Sequence, residues 1–284
     1  MMPRPAPSYQ ENEKTAGSAA RNILTVPVRR FRDFACLDEQ DLLAVEEPLQ
    51  IRVGDSDLAI TMRTPGNDGE LATGFLFAEN IVESAHDILD IRCSGNIAVV
   101  TLAPGIDADR NEAHRHFYMT SSCGICGKAS IQALEAGGCS VLPANSPRLD
   151  ASMIRSLPEK LRESQAVFNR TGGLHAAGLF SARGERILLR EDVGRHNAVD
   201  KLVGRALLDR QLPLHDYVLM VSGRTSFELL QKAARAGIPV LAAVGAPSSL
   251  AVKAALRFGI TLIGFLRDDR FNVYTRPSRI CESK

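Results

Sequence analysis

Residues 217–266 read YVLMVSGRTSFELLQKAARAGIPVLAAVGAPSSLAVKAALRFGITLIGFL, and this stretch decides the fold. Three short apolar runs, residues 217–221, 239–244 and 260–266, have the length of strands. Two segments between them, 226–236 and 248–258, read as helices, so the order is βαβαβ. Near-continuous apolar strands joined by helices imply a parallel sheet covered by helices. Right-handed crossovers then place every strand C-terminus on one edge, where open α/β sheets bind their ligands.

Three segments leave that edge: Ser222-Gly223-Arg224-Thr225-Ser226, Gly245-Ala246-Pro247-Ser248-Ser249 and Phe265-Leu266-Arg267-Asp268-Asp269-Arg270. Two of them open helices, whose free N–H groups and neighbouring hydroxyls suit phosphate oxygens, and Arg224, Arg267 and Arg270 can supply cationic forks. A nucleotide or pyrophosphate ligand follows. For any single segment the plainer explanation is better: serines and threonines cap helices, and Gly223 and Gly245 make tight turns. Three together favour a binding edge.

Outward from this core, residues 175–181 and 186–190 form a hairpin around the turn Ala182-Arg183-Gly184-Glu185. Residues 151–167 form a helix that Thr171-Gly172-Gly173 ends. His175 reads as a satisfied core histidine. The run Arg190-Glu191-Asp192-Val193-Gly194-Arg195-His196-Asn197-Ala198-Val199-Asp200-Lys201 packs charge at a strand-to-helix junction, with Asn197 as the candidate N-cap and Asp200 and Lys201 in the first turn. It reads as a polar cleft wall, with Asp192, Arg195 or His196 open to a ligand role as much as to a solvated helix start. Towards the N-terminus, strand-like runs at 49–53, 58–63 and 97–102 surround a helical pattern at 69–79. The chain divides into a disordered leader, 1–22, carrying Pro3, Pro5 and Pro7, a small α+β lobe, 23–116, and a main domain, 117–284, with a cysteine loop at 120–128.

The chain has 284 residues, 45% of them hydrophobic, with 34 basic and 33 acidic side chains and a formal charge of +1. That is enough for a large core, and the balance offers no footprint for generic nucleic-acid or anionic-membrane binding. No apolar run approaches the roughly 18 residues of a spanning helix, and the N-terminus lacks the order of a secretory signal. The expectation is a cytoplasmic protein. Its six cysteines are too few and too unevenly placed for a disulfide framework, and a reducing compartment keeps them free for chemistry.

Two of those cysteines stand in Thr120-Ser121-Ser122-Cys123-Gly124-Ile125-Cys126-Gly127-Lys128, ahead of a helical pattern at 128–136. A helix N-terminus, a nearby cation and a Cys-x-x-Cys spacing each favour the reactive thiolate. Gly124 and Gly127 let backbone amides turn towards the sulfurs, and Ser121 and Ser122 can donate hydrogen bonds. Zinc binding would need a second hook, whereas Cys36, Cys93, Cys139 and Cys281 are isolated. A thioredoxin-like pair would follow an early strand and keep a Trp or Pro nearby. Reactive sulfur chemistry is preferred by a narrow margin, with redox and zinc readings open.

The ordered blocks Ser122-Cys123-Gly124-Ile125-Cys126-Gly127-Lys128, Thr171-Gly172-Gly173-Leu174-His175-Ala176-Ala177, Glu191 to Lys201, Ser222-Gly223-Arg224 and Arg270-Phe271-Asn272-Val273-Tyr274-Thr275 resemble the formate dehydrogenase accessory sulfurtransferases, the FdhD family, from about Ile23 onward. The resemblance implies an α/β fold with a cytidine-deaminase-like main domain. It also implies a carrier that receives sulfur from a cysteine desulfurase and sulfurates the molybdenum (or tungsten) bis(molybdopterin guanine dinucleotide) cofactor of formate dehydrogenase. On the same footing Cys123 bears the persulfide with Cys126 as relay, the segment from Phe265 through Leu266, Arg267, Asp268 and Asp269 to Arg270 contacts the cofactor, and the chain is a homodimer. A cofactor-binding chaperone without sulfur transfer is the alternative. His175 is followed by Ala-Ala rather than by the Glu of a His-x-Glu motif, and no Pro precedes Cys123, so neither a catalytic zinc nor deamination is expected.

Overall fold

The computed structural model describes residues 22–106, 141–143 and 146–282. In chain order it contains β1 (Ile23–Arg32), β2 (Ala35–Ala44), β3 (Glu47–Val53), β4 (Ser56–Arg63), α1 (Asp68–Ala78), β5 (Ile88–Ser94), β6 (Ile97–Leu102), β7 (Leu149–Asp150), α2 (Ala151–Glu163) and α3 (Phe168–Thr171). These are followed by β8 (His175–Ser181), β9 (Arg186–Asp192), α4 (Arg195–Leu208), β10 (Tyr217–Val221), α5 (Phe227–Arg235), β11 (Val240–Ala243), α6 (Ser249–Phe258), β12 (Thr261–Gly264), β13 (Asn272–Val273) and β14 (Ile280–Cys281).

The main sheet has six strands in the order β13-β12-β11-β10-β8-β9. The strands β10, β11 and β12 run parallel, as the βαβαβ rhythm predicts, while the β8–β9 hairpin joins β10 antiparallel. Successive side chains alternate between two cores, as the two-residue strand period requires. On one face Ala177, Leu179, Leu219, Val221, Leu241, Ala243 and Leu262 pack with residues of α4, α5 and α6. On the other, Ala176, Phe180, Val218, Met220, Val240, Ala242 and Ile263 meet Ile154, Leu157 and Leu161 of α2. Both faces are therefore covered, and each fully buried large aliphatic side chain contributes about 1.5–3 kcal/mol.

A second sheet, β4-β3-β6-β5, carries α1. Its Leu49, Ile51, Ala98 and Val100 join the same apolar cluster that contains Leu202, Leu219 and Leu241, so one core runs across both sheets. The joint is the crossing of α1 and α4. A Cβ on Gly74 would lie 1.9 Å from the Asp200 carbonyl oxygen, and one on Gly204 would lie 1.9 Å from that of Glu70. Only glycine permits this approach.

The helix expected at 151–167 ends at Glu163 and a separate turn, α3, follows. The Val167 and Phe168 amides at its start donate to the Glu191 carboxylate. Several features escape the sequence patterns: the two-residue strands β7, β13 and β14, the strand β5, and the β1–β2 hairpin, ten paired positions long, in which no residue is fully buried.

Candidate functional site

The three segments predicted to meet at the sheet edge do meet, because the parallel ladder continues past the strand ends. The Val244 amide donates to the Val221 carbonyl (3.1 Å), Gly245 to Gly223 (3.0 Å), Thr225 to Ala246 (3.1 Å) and Ser248 to Thr225 (2.9 Å). On the other side Phe265 donates to Gly245 (3.1 Å) and Leu266 to Ala243 (3.0 Å). The loops are stitched so closely that a Cβ on Gly245 would stand 2.8 Å from Arg224 Cα. The Ser248 hydroxyl caps α6 by accepting from the Ala251 amide (3.2 Å).

The predicted rim residues divide by what their side chains touch. Ser222 is spent within the sheet, its hydroxyl accepting from the Ala176 amide at 2.9 Å. Leu266 is fully buried in the core under α2, so its side chain packs and only its backbone lies at the rim. Arg267 bends back, with Nη1 donating to the Val244 and Leu266 carbonyls at 2.8 Å each, and pins the loop. Arg270 pairs with Asp269 at 3.4 Å, an exposed contact worth little; Asp268 and Asp269 add negative charge at the same exposed rim. Arg224 is exposed and makes no hydrogen bond or ion pair among the described residues. Phe265 is exposed and holds φ at 52°, a left-handed conformation unusual for an aromatic residue.

A second group lies where β8 meets β10, and the sequence signalled only part of it. The His175 ring stands against Gly223, where a Cβ would come within 3.3 Å of Cε1 and Nδ1 and 3.8 Å of Arg195 Cδ. Rather than a satisfied core histidine, His175 is half-buried and its ring makes no hydrogen bond among the described residues. Burial, then the Arg195 guanidinium, lowers its pKa against the opposing pull of Asp192. His196 is pushed down to about 4 by burial and then by Lys232 and Arg195. Its Nε2 lies 3.0 Å from the Ser226 hydroxyl and 3.8 Å from the Glu228 carboxylate. Burial tends to raise Glu228, but hydrogen bonds from the Ser226 side chain and from its own amide outweigh this and leave its pKa lowered. A Ser226 hydroxyl that donates to Glu228 accepts from His196, which assigns the proton to Nε2.

The charged run from Glu191 to Lys201 turns mostly inward. Gly194, rather than Asn197, occupies the cap position of α4. Asn197 instead donates to the Met62 carbonyl (2.7 Å) and to Asp192 Oδ1 (3.0 Å). Asp192 accepts from the Thr64 and Gly194 amides and pairs with Lys201 at 2.7 Å. Lys201 Nζ also donates to the Thr64 carbonyl. Both Asp200 and Lys201 are buried rather than in a solvated first turn, and Asp200 pairs with Lys232 at 2.6 Å. The run is thus a polar joint between α4 and β4 that leaves Arg195 and His196 facing the edge.

Cys123 and Cys126, together with the helix expected at 128–136, lie outside the described residues. The described cysteines are free and scattered: Cys36 in β2, Cys93 in β5 and Cys281 in β14. Among the described residues no cluster of three or more His, Cys, Asp or Glu side chains is arranged to hold a metal ion, and no helix is long and apolar enough to cross a membrane.

Residues 44–281 match the model of the FdhD/NarQ family. The chain is 52% identical over 250 residues to a sulfur carrier protein FdhD from Mycolicibacterium paratuberculosis, covering 84% of this chain and 92% of the relative. It is 46% identical over 259 residues to a protein of the same name from Sulfolobus acidocaldarius, covering 91% and 98%. The fold is similar to the crystal structure of a formate dehydrogenase accessory protein from Desulfotalea psychrophila, with a TM-score of 0.73, 27% identity, and coverage of 91% of this chain and 99% of that one.

Proposed function

The chain belongs to the FdhD/NarQ family, and on that premise we propose that it is a sulfurtransferase. In this reading it takes sulfur from a cysteine desulfurase and delivers it to the molybdenum bis(molybdopterin guanine dinucleotide) cofactor destined for formate dehydrogenase. The observation that carries the reading is the pair Cys123-Gly124-Ile125-Cys126 inside the stretch matched to the family model. At the stitched edge the exposed Arg224, without a hydrogen bond or ion pair among the described residues, supports the acceptor, since a guanine dinucleotide brings a pyrophosphate for its guanidinium fork. The cytidine-deaminase-like arrangement of residues 117–284, the cytoplasmic setting and the homodimer belong to the same reading.

The chemistry is thiol exchange. The Cys123 thiolate attacks the terminal sulfur of the desulfurase persulfide, the donor's sulfur–sulfur bond breaks, and the donor cysteine leaves as thiolate. The sulfane sulfur then sits on Cys123. If the Cys126 thiolate attacks the inner sulfur, a Cys123–Cys126 disulfide closes and the outer sulfur leaves as hydrosulfide; alternatively Cys126 accepts the outer sulfur and relays it. The molybdenum cofactor is cargo in this scheme.

Incubation with a cysteine desulfurase and cysteine is expected to add one reductant-labile sulfur to the peptide containing Cys123. An unmodified peptide beside an active desulfurase would defeat the proposal. The alternative of a cofactor-binding chaperone without sulfur transfer predicts that the double variant Cys123→Ala, Cys126→Ala still supports formate dehydrogenase maturation. Loss of maturation with nucleotide binding retained rejects that alternative.

A further inference from the structure

Arg195 is an anomaly in this chain. Its Nε is buried without a hydrogen-bond partner, and among the described residues its guanidinium forms neither a hydrogen bond nor an ion pair. The surrounding acids are already engaged. Asp192 is held by Lys201, Gly194, Asn197 and Thr64. Asp200 is held by Lys232, and Glu228 already accepts from the Ser226 hydroxyl and its own amide. A buried donor on a charged group with no acceptor is costly, and such a group calls for a bound partner.

What stands beside Arg195 narrows the ligand. The unpaired His175 imidazole and the Cα of Gly223 face the same space. The Arg195 guanidinium meets the Glu228 carboxylate only through space, without a hydrogen bond, so its donors and the His175 ring are left for an oxyanion. We propose that Arg195 and His175 form a phosphoryl-binding subsite at the β8–β10 side of the edge, separate from the loop at residues 265–270 beside β12. Two strand spacings of about 4.8 Å separate the ends of β10 and β12, a span that one dinucleotide can bridge. The assignment of that phosphoryl group to a guanine dinucleotide rests on the proposed function; the oxyanion subsite does not.

Inorganic pyrophosphate is the probe, titrated calorimetrically into the full-length chain, with guanosine as the phosphate-free control. Wild type is expected to bind pyrophosphate. Arg195→Ala should weaken binding about tenfold or more, as loss of a charge-assisted hydrogen bond predicts. Arg195→Lys, which keeps the charge but not the fork, should fall between the two, and it decides the matter if the alanine variant does not fold. Gly223→Ala, which crowds the His175 ring, should also weaken binding. Arg29→Ala, in an exposed pair of the β1–β2 hairpin, should bind as wild type does. The subsite is overturned if wild type binds no pyrophosphate, if folded Arg195 variants bind it equally well, or if Arg29→Ala weakens it as much. Sulfur loading of Cys123 is read in parallel. Arg195-dependent binding without loading keeps the subsite and removes the sulfur-carrier reading, and loading without Arg195-dependent binding does the reverse.

Discussion

Lys201 Nζ lies 2.7 Å from Asp192 Oδ2, with both side chains almost wholly out of water, and the pair fastens α4 to the segment after β4 through Thr64. Removing one partner of such a pair leaves a buried charge uncompensated. Asp192→Ala is expected to lower stability by about 3–5 kcal/mol, read from urea denaturation midpoints. The double variant Asp192→Leu, Lys201→Met should cost less than Asp192→Ala alone, because no buried charge remains. A double variant at least as unstable as the single one would show that the pair is itself a net source of stability.

The crossing of α1 and α4 gives a steric prediction. Replacing a helix-interior glycine by alanine ordinarily gains up to about 1 kcal/mol in helix propensity. At Gly74 the new Cβ would sit 1.9 Å from the Asp200 carbonyl oxygen, a backbone atom that cannot swing aside. Gly74→Ala should therefore destabilise by at least about 1–3 kcal/mol, or prevent folding. A thermal melt showing a rise in Tm would refute the close approach.

Two buried groups titrate in opposite senses in nearly the same acid window. Burial holds His196 down to about 4 against an ordinary 6.5. Between those values the unfolded chain binds the proton and the folded chain does not, so acidification removes stability. Burial holds Asp200 up at about 6 against 3.8, with Lys232 pulling the other way. There the folded chain keeps the proton, so acidification restores stability. Each effect is on the order of 3 kcal/mol, and they largely offset. His196→Gln should flatten or reverse the loss of stability on acidification, while Asp200→Asn should steepen it. Denaturation midpoints measured across the window decide this, and identical slopes in both variants and wild type would contradict the assignment.

The parts of the fold visible in the sequence are those fixed by local periodicity. Val218, Leu219, Met220 and Val221 alternate between two cores as any doubly covered strand must, and Ser248 caps α6 where the helical pattern begins. The β1–β2 hairpin was illegible because it buries no residue fully and carries Pro27 within β1, so burial never imposed a clear alternation. Asn197 does not cap α4 because its partners, Met62 and Asp192, include one 135 residues away, beyond the reach of local sequence patterns. The same holds for the site. The three strand ends converge by local rules, whereas His175, Arg195 and Gly223 become neighbours only through the antiparallel pairing of β8 with β10.

Phe265 joins strain to exposure at one position. An aromatic residue with φ at 52° gives up about 1–2 kcal/mol relative to the right-handed regions, and its exposed ring recovers little of that by packing. Its amide donates to the Gly245 carbonyl and the next amide to Ala243, so the ladder imposes the conformation. Strain of this kind persists where the surroundings over-determine it, often at ligand sites. Phe265→Gly relieves the strain but loosens the unfolded chain by about 0.5–1 kcal/mol, so stability should be unchanged or slightly raised. If the ring serves as a platform for a base, guanosine diphosphate should bind about tenfold more weakly, since stacking is worth about 1–3 kcal/mol per base. A melt and a calorimetric titration on the same sample separate the two effects. Equal nucleotide affinity with raised stability would mean that the strained ring contributes nothing to binding.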